Sequence, residues 1–207
     1  MARSKSSNQW LQRHVKDPYV RKARAEGYRS RAAYKLIEAN ARGRFLVPGA
    51  TVVDLGAAPG GWSQVAFQKA APGGKVIALD LLEIAPISGV LILRGDCREP
   101  GIQAQLVQAL GGQKADVVLS DLSPNISGIA SADQARAAEL VRMAIGFCAM
   151  WLKPGGSFLV KVFQGGEFTG VLQEMTQVFR EVRTVKPAAS RDESRETYLL
   201  ARGLKSP

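Results

Sequence analysis

The sequence predicts an α/β fold, a single doubly wound domain on a mostly parallel seven-stranded sheet. Three observations predict it. Four short β-branched runs, ATVVDLG, GKVIALD, VLILRGD and ADVVLSD, recur along the chain, each with an aspartate near its end. Apolar runs of this length suit buried parallel strands, because helices cover both faces of such a sheet. Stretches of helical composition separate and follow them, and that alternation implies a doubly wound sheet. Finally, 207 residues with 46% hydrophobic content suffice for one core and are too few for two.

In chain order, residues 1–29 form a basic arm and residues 30–207 the domain. SRAAYKLIEANARG opens the domain as a helix, with Ser30 the expected N-cap, Tyr34 and Ile37 one turn apart, and Gly43 near the stop. The first strand carries Asp54 and runs into the turn GAAPGG; the next three end at Asp80, Asp96 and Asp121. Ligands of doubly wound sheets bind outside the carboxyl ends of the strands, where these carboxylates fall. ASADQARAAELVRMAIGFCAMWL reads as a long helix closed by the turn KPGG. SFLVKVF is then the fifth strand and FTGVLQEMTQVF a helix. VRTVKP and ETYLLARG form a terminal strand pair joined by AASRDESR, with the last strand antiparallel.

The net charge of +10 is concentrated at one end: Met1 to Arg44 hold twelve Lys or Arg against Asp17, Glu26 and Glu38, whereas the rest of the chain is nearly balanced. A solvated tail is the competing reading. Basic residues interleaved with Trp10, Tyr19, Tyr28 and Tyr34 more often follow a phosphate backbone and stack on bases. No apolar run approaches the length of a membrane span, and MARSKSSNQW lacks the apolar stretch of a signal peptide, so a cytoplasmic protein with no membrane contact is expected. Cys97 and Cys148, far apart and outside any C-x-x-C pair, read as reduced core thiols. His14, in the basic arm, is the only histidine, which argues against a Ser-His-Asp triad and against a histidine-rich metal site, so no metal is expected.

The turn after the first strand raises the question of a ligand. A G-x-G-x-x-G loop beginning at Gly56 would need glycine at position 58, but Ala58 and Pro59 stand there, and no Lys-Ser or Lys-Thr follows as in a phosphate-binding loop. Gly56, Gly60 and Gly61 still permit a tight turn and close backbone approach. Asp80, 20 residues past Gly60, occupies the position from which a carboxylate takes ribose hydroxyls. Asp96 is placed to accept from an adenine amino group. Adenine and ribose without pyrophosphate describe S-adenosylmethionine. Trp62, directly after the turn, is either core or a flank of that cofactor. A purely structural turn is the bland alternative, weakened by the two downstream carboxylates.

SRAAYKL, DLGAAPGGWSQ, DLSPNISG, LVKVFQGG and SRETYLLARG, in this order from Ser30 to Gly203, together resemble the FtsJ family of ribose 2′-O-methyltransferases. One departure is visible: Ser123 stands where the family pattern has alanine. The resemblance implies a Rossmann-like domain using S-adenosylmethionine to methylate a ribose 2′-hydroxyl. It points to a uridine of 23S-type large-subunit ribosomal RNA, within the assembled subunit; no protein partner is evident, and a monomer is expected. It also carries a catalytic tetrad onto Lys35, Asp121, Lys161 and Glu196.

Each of the four has an ordinary reading: a helix-surface Lys35, a strand-end Glu196, an edge-strand Lys161 reaching solvent. Lys161 is the most informative, since a lysine among core residues is costly unless paired or neutral. It is assigned as acceptor of the 2′-hydroxyl proton, oriented by Asp121, with Lys35 and Glu196 positioning the ribose. Asp121 also lies beside the cofactor. Two alternatives stay open. A 2′-O-methyltransferase acting on transfer RNA fits the same residues, and a nicotinamide-dependent oxidoreductase fits the strand pattern and Asp80, though not the glycine spacing. A non-catalytic RNA-binding module leaves Lys161 and the strand-end carboxylates without a role.

Overall fold

The computed structural model describes residues 17–191 and 194–205. Most of the expected arm, including Trp10 and His14, lies outside them. Seven strands alternate with helices: β1 (Thr51–Leu55), β2 (Lys75–Asp80), β3 (Val90–Arg94), β4 (Ala115–Ser120), β5 (Leu152–Phe163), β6 (Phe179–Val185) and β7 (Glu196–Leu204) form one sheet in the order β3-β2-β1-β4-β5-β7-β6. β1 to β5 pair in parallel, and β7 is antiparallel to both β5 and β6. The order reverses between β1 and β4, so a crevice opens at their carboxyl ends.

The strand period of two sorts the core into two layers. Val53, Leu55, Val118, Phe158 and Val160 face α4 (Pro100–Leu110), α5 (Ala130–Trp151) and α6 (Phe168–Val178). Val52, Val117, Leu119, Leu159 and Leu200 face α2 (Ala32–Gly43) and α3 (Gly61–Ala70). Cys148 is fully buried and Cys97 nearly so, and neither forms a disulfide. Among the described residues no helix is long and apolar enough to cross a membrane.

Four local expectations need correction. Ser30 does not cap α2: the helix begins after Arg31 without a side-chain cap, the Ser30 carbonyl accepts from the Ala33 amide, and its hydroxyl lies against Gly61. KPGG is not an external turn, because β5 starts at Leu152 directly after the helix and absorbs it as an irregularity in the pairing with β4. α4 was not anticipated, although Pro100 in its first turn and Gly111 at φ 64° as C-cap mark both its ends. Nor was α1 (Pro18–Ala25), which starts where Asp17 Oδ1 accepts the Tyr19 amide at 3.0 Å and Pro18 presets the first turn.

α1 buries Val20 and Ala23, and the rings of Tyr19 and Tyr28 pack 5.5 and 5.7 Å from that of Tyr34 on α2. The boundary expected at residues 29/30 thus falls between two helices packed on one another. Arg21 and Arg24 remain exposed on α1.

Candidate active site

At the β1/β4 switch point lies a cleft of about 820 Å³ lined by Gly56, Ala58, Asp80, Leu82, Asp96 and Asp121, among others. That volume suits a ligand of nucleoside size. Gly56 closes β1 at φ 72°, and a Cβ there would stand 2.5 Å from Leu122 Cδ2, so glycine is what lets the β1 and β4 loops approach. Asp80 Oδ2 accepts the Ala58 amide and Oδ1 the Leu82 amide, each at 2.8 Å. One lone pair per oxygen remains for hydroxyl donors. Asp96 accepts from the Arg98 backbone amide at 2.9 Å and from its guanidinium, whose hydrogen bonds hold the carboxyl below its ordinary range.

The four tetrad residues converge beside this cleft, on the α2 side of the sheet. Lys161, alternating with Leu159 on that face of β5, is 7% exposed. It is not an edge-strand lysine, since β5 lies between β4 and β7. Its Nζ donates to the Asp121 carbonyl at 2.8 Å and Ser123 Oγ at 2.6 Å, and stands 3.3 Å from Asp121 Oδ1. Lys35, one turn into α2, reaches Glu196 Oε1 at 2.7 Å. Burial pushes the Glu196 carboxyl up, but the charge and hydrogen bond of Lys35, the charge of Lys161 and a bond from Ser190 together bring it below its ordinary value.

Sequence reasoning missed the group that joins these two ion pairs. The Tyr198 hydroxyl lies 3.0 Å from Asp121 Oδ1 and 3.1 Å from Glu196 Oε1, with the phenol fully buried. Burial and the two flanking carboxylates push its ionisation well above the ordinary tyrosine value, so it stays a neutral donor. The signal was present: on a strand, Glu196 and Tyr198 share one face. Asp54 was noted only as a strand-end acid. It is completely buried, with Oδ2 accepting from Ser63 at 2.6 Å and Oδ1 without a partner. Burial pushes its carboxyl up to about 7, opposed by the Ser63 bond and reinforced by the charges of Asp121 and Asp80.

Two residues expected at the cofactor flank the glycine turn outside the lining of this cleft. Trp62 does not line the cleft: its indole Nε1 donates to the Ala32 carbonyl at 2.8 Å, and its ring packs 5.6 Å from Tyr198 in the α2/α3 core. Gly60 does not line it either. Its φ of 109° opens α3, and a Cβ would meet Ile87 Cδ1 at 2.5 Å and the Arg29 side chain at 3.3 Å, so crowding by protein is by itself enough to demand glycine.

The FtsJ-like methyltransferase family model matches residues 28–204. Curated relatives named ribosomal RNA large subunit methyltransferase E include those of Methylobacillus flagellatus, 53% identical over 99% of this chain and 98% of the relative, and Pseudomonas aeruginosa, 48% identical over 99% of both. Among solved structures, a ribosomal RNA methyltransferase of Plasmodium falciparum superposes with a TM-score of 0.78 at 28% identity, over 86% of this chain and 98% of that one. Aeropyrum pernix fibrillarin, solved with natively bound S-adenosyl-L-methionine, shares the fold at TM-score 0.56 and 17% identity, over 82% and 75% of the two chains. With a family model spanning most of its length and relatives near half identical from end to end, the chain belongs to the FtsJ-like methyltransferases.

Proposed function

We propose that this protein transfers a methyl group from S-adenosylmethionine to the 2′-hydroxyl of a ribose, a uridine's, in 23S-type ribosomal RNA of the assembled large subunit. The carrying observation is Lys161, buried and gripped by Asp121 at the edge of a nucleoside-sized cleft. The relatives' names support the RNA class.

The residues present fit the cofactor. The glycine turn carries no cation of its own, and Asp80 keeps lone pairs for two ribose hydroxyls. Asp96 would accept from the adenine amino group with what its pairing to Arg98 leaves free. When bound, S-adenosylmethionine supplies an electrophilic methyl on a sulfonium. Transfer then needs an aligned oxygen and removal of its proton. Lys161 Nζ, in its neutral form, takes that proton, and the Asp121 carbonyl, Asp121 carboxylate and Ser123 hydroxyl receive the ammonium hydrogens that result. Lys35 and Glu196 position the ribose, and Tyr198 keeps the two pairs at fixed separation. The exposed cations of α1 meet the RNA backbone.

Mapping 2′-O-methyl groups in cells with and without this protein, and in vitro on purified large subunits, naked ribosomal RNA and transfer RNA, tests the reading. Loss of one large-subunit methyl, restored in vitro on the assembled particle, is the expected result. Restoration only on naked RNA removes the particle, and a lost transfer RNA methyl redirects the substrate.

A further inference from the structure

Arg29 lies in the basic N-terminal stretch, where an arginine is most simply read as a phosphate contact. Its guanidinium is engaged elsewhere. It donates to the carbonyls of Pro59 at 3.2 Å, Ala85 at 2.5 Å and Pro86 at 2.6 Å. Pro59 belongs to the glycine turn after β1, and Ala85 and Pro86 to the segment between β2 and β3. These are the two loops that Asp80 ties together from inside the cleft by accepting the amides of Ala58 and Leu82. Acceptors of the inner staple are carboxylate oxygens; donors of the outer one are guanidinium nitrogens. The same pair of loops is therefore held from both sides.

Arg29 is itself anchored. Its backbone amide donates to Gln64 Oε1 at 2.9 Å, and Gln64 Nε2 returns a bond to the Gly27 carbonyl at 3.0 Å, fixing the segment after α1 to the first turns of α3. Close packing of Gly60 against Ile87 and Arg29 leaves the guanidinium little room to leave without disturbing the turn.

We propose that Arg29 is a positioning residue for the cofactor cleft, a clasp across its outer wall, and not a ligand of RNA. This rests on the S-adenosylmethionine reading above. Only a planar fork with several N–H donors spans three carbonyls on two loops; a lysine ammonium keeps the charge without that reach. Free of the clasp, the loops must be ordered by the ligand, which lowers affinity.

Arg29→Ala and Arg29→Lys, measured against the wild-type protein, separate the possibilities. Calorimetry with S-adenosylmethionine is expected to show both variants binding roughly tenfold more weakly. In the cofactor-free protein, amide exchange at Ala58 and Leu82 is expected to quicken in both. Affinity for a large-subunit ribosomal RNA fragment should stay within twofold, and KM for S-adenosylmethionine should rise more than kcat falls. Arg29→Lys also serves if Arg29→Ala does not fold. The proposal is overturned if both variants bind S-adenosylmethionine like the wild type, or if RNA affinity falls in Arg29→Ala and returns in Arg29→Lys. A wild-type protein that binds no S-adenosylmethionine overturns the cofactor reading itself, a result distinct from either.

Discussion

Lys161 on β5 and Tyr198 on β7 are register partners, and their polar ends meet at one atom, Asp121 Oδ1, at 3.3 and 3.0 Å. A lysine and a phenol on neighbouring strands thus share one carboxylate supplied by the loop after a third. Of the groups gathered here, Lys161, Glu196 and Tyr198 are placed by the sheet, Lys35 by α2, and only Asp121 and Ser123 come from a loop.

Replacing Lys161 tests its role as base. Lys161→Ala and Lys161→Arg should each lower single-turnover methyl transfer by about 10²–10⁴, since guanidinium keeps the charge but does not deprotonate at usable pH. Near wild-type transfer by Lys161→Arg on purified large subunits would reduce Lys161 to an electrostatic role.

Tyr198→Phe keeps the ring against Trp62 and removes only the hydroxyl between Asp121 and Glu196. Stability should fall by about 1–2 kcal/mol in denaturant titrations, because a buried carboxylate loses a donor. Turnover should fall as well, with binding of S-adenosylmethionine unchanged. A variant equal to wild type in turnover would make the bridge purely structural.

Asp80→Ala should cost on the order of 1–3 kcal/mol of S-adenosylmethionine affinity by calorimetry. Besides the ribose contacts, the variant strands the amides of Ala58 and Leu82, so those amides should also lose protection from exchange. Unchanged affinity would remove Asp80 from the site.

Asp54 makes stability depend on pH. Its carboxyl is raised from 3.8 to about 7 in the folded protein, so its contribution is complete at low pH and is lost as pH rises through about 7. Asp54→Asn should gain stability relative to wild type between pH 4 and 8, by on the order of 3 kcal/mol over that range. Glu196, whose depressed carboxyl acts in the opposite sense at acid pH, is common to both proteins and cancels in the difference. Parallel denaturation curves across this range would mean that Asp54 is ionised throughout.

Arg21→Ala combined with Arg24→Ala should weaken binding of ribosomal RNA and lower the salt slope of log K by about one to two, since fewer counterions are released. Cofactor affinity should not move. These positions are better probes than deletion of residues 1–29, which would also remove Val20 and Ala23 from the core. A salt slope equal to wild type would assign RNA binding elsewhere.

The sequence by itself determined the sheet and the placing of its carboxylates, because strand-length apolar runs ending in aspartate report a local periodicity that does not depend on distant residues. Lys161 was legible for a related reason: an ammonium inside SFLVKVF has to be satisfied, whatever surrounds it. What tertiary structure decided were the contacts across long separations. Tyr198 reads as one more apolar strand residue until β7 brings its hydroxyl between Asp121 and Glu196. Trp62 reads as either core or a cofactor flank until α2 takes its indole, and Arg29 as one more cation of the basic arm until two loops claim its guanidinium. Patterns of hydrophobicity and spacing show which residues must be buried or turned. The partner of a polar group 30 to 160 residues away is chosen only when the chain has packed, by which donors and acceptors the strands then bring within 3 Å or so of one another.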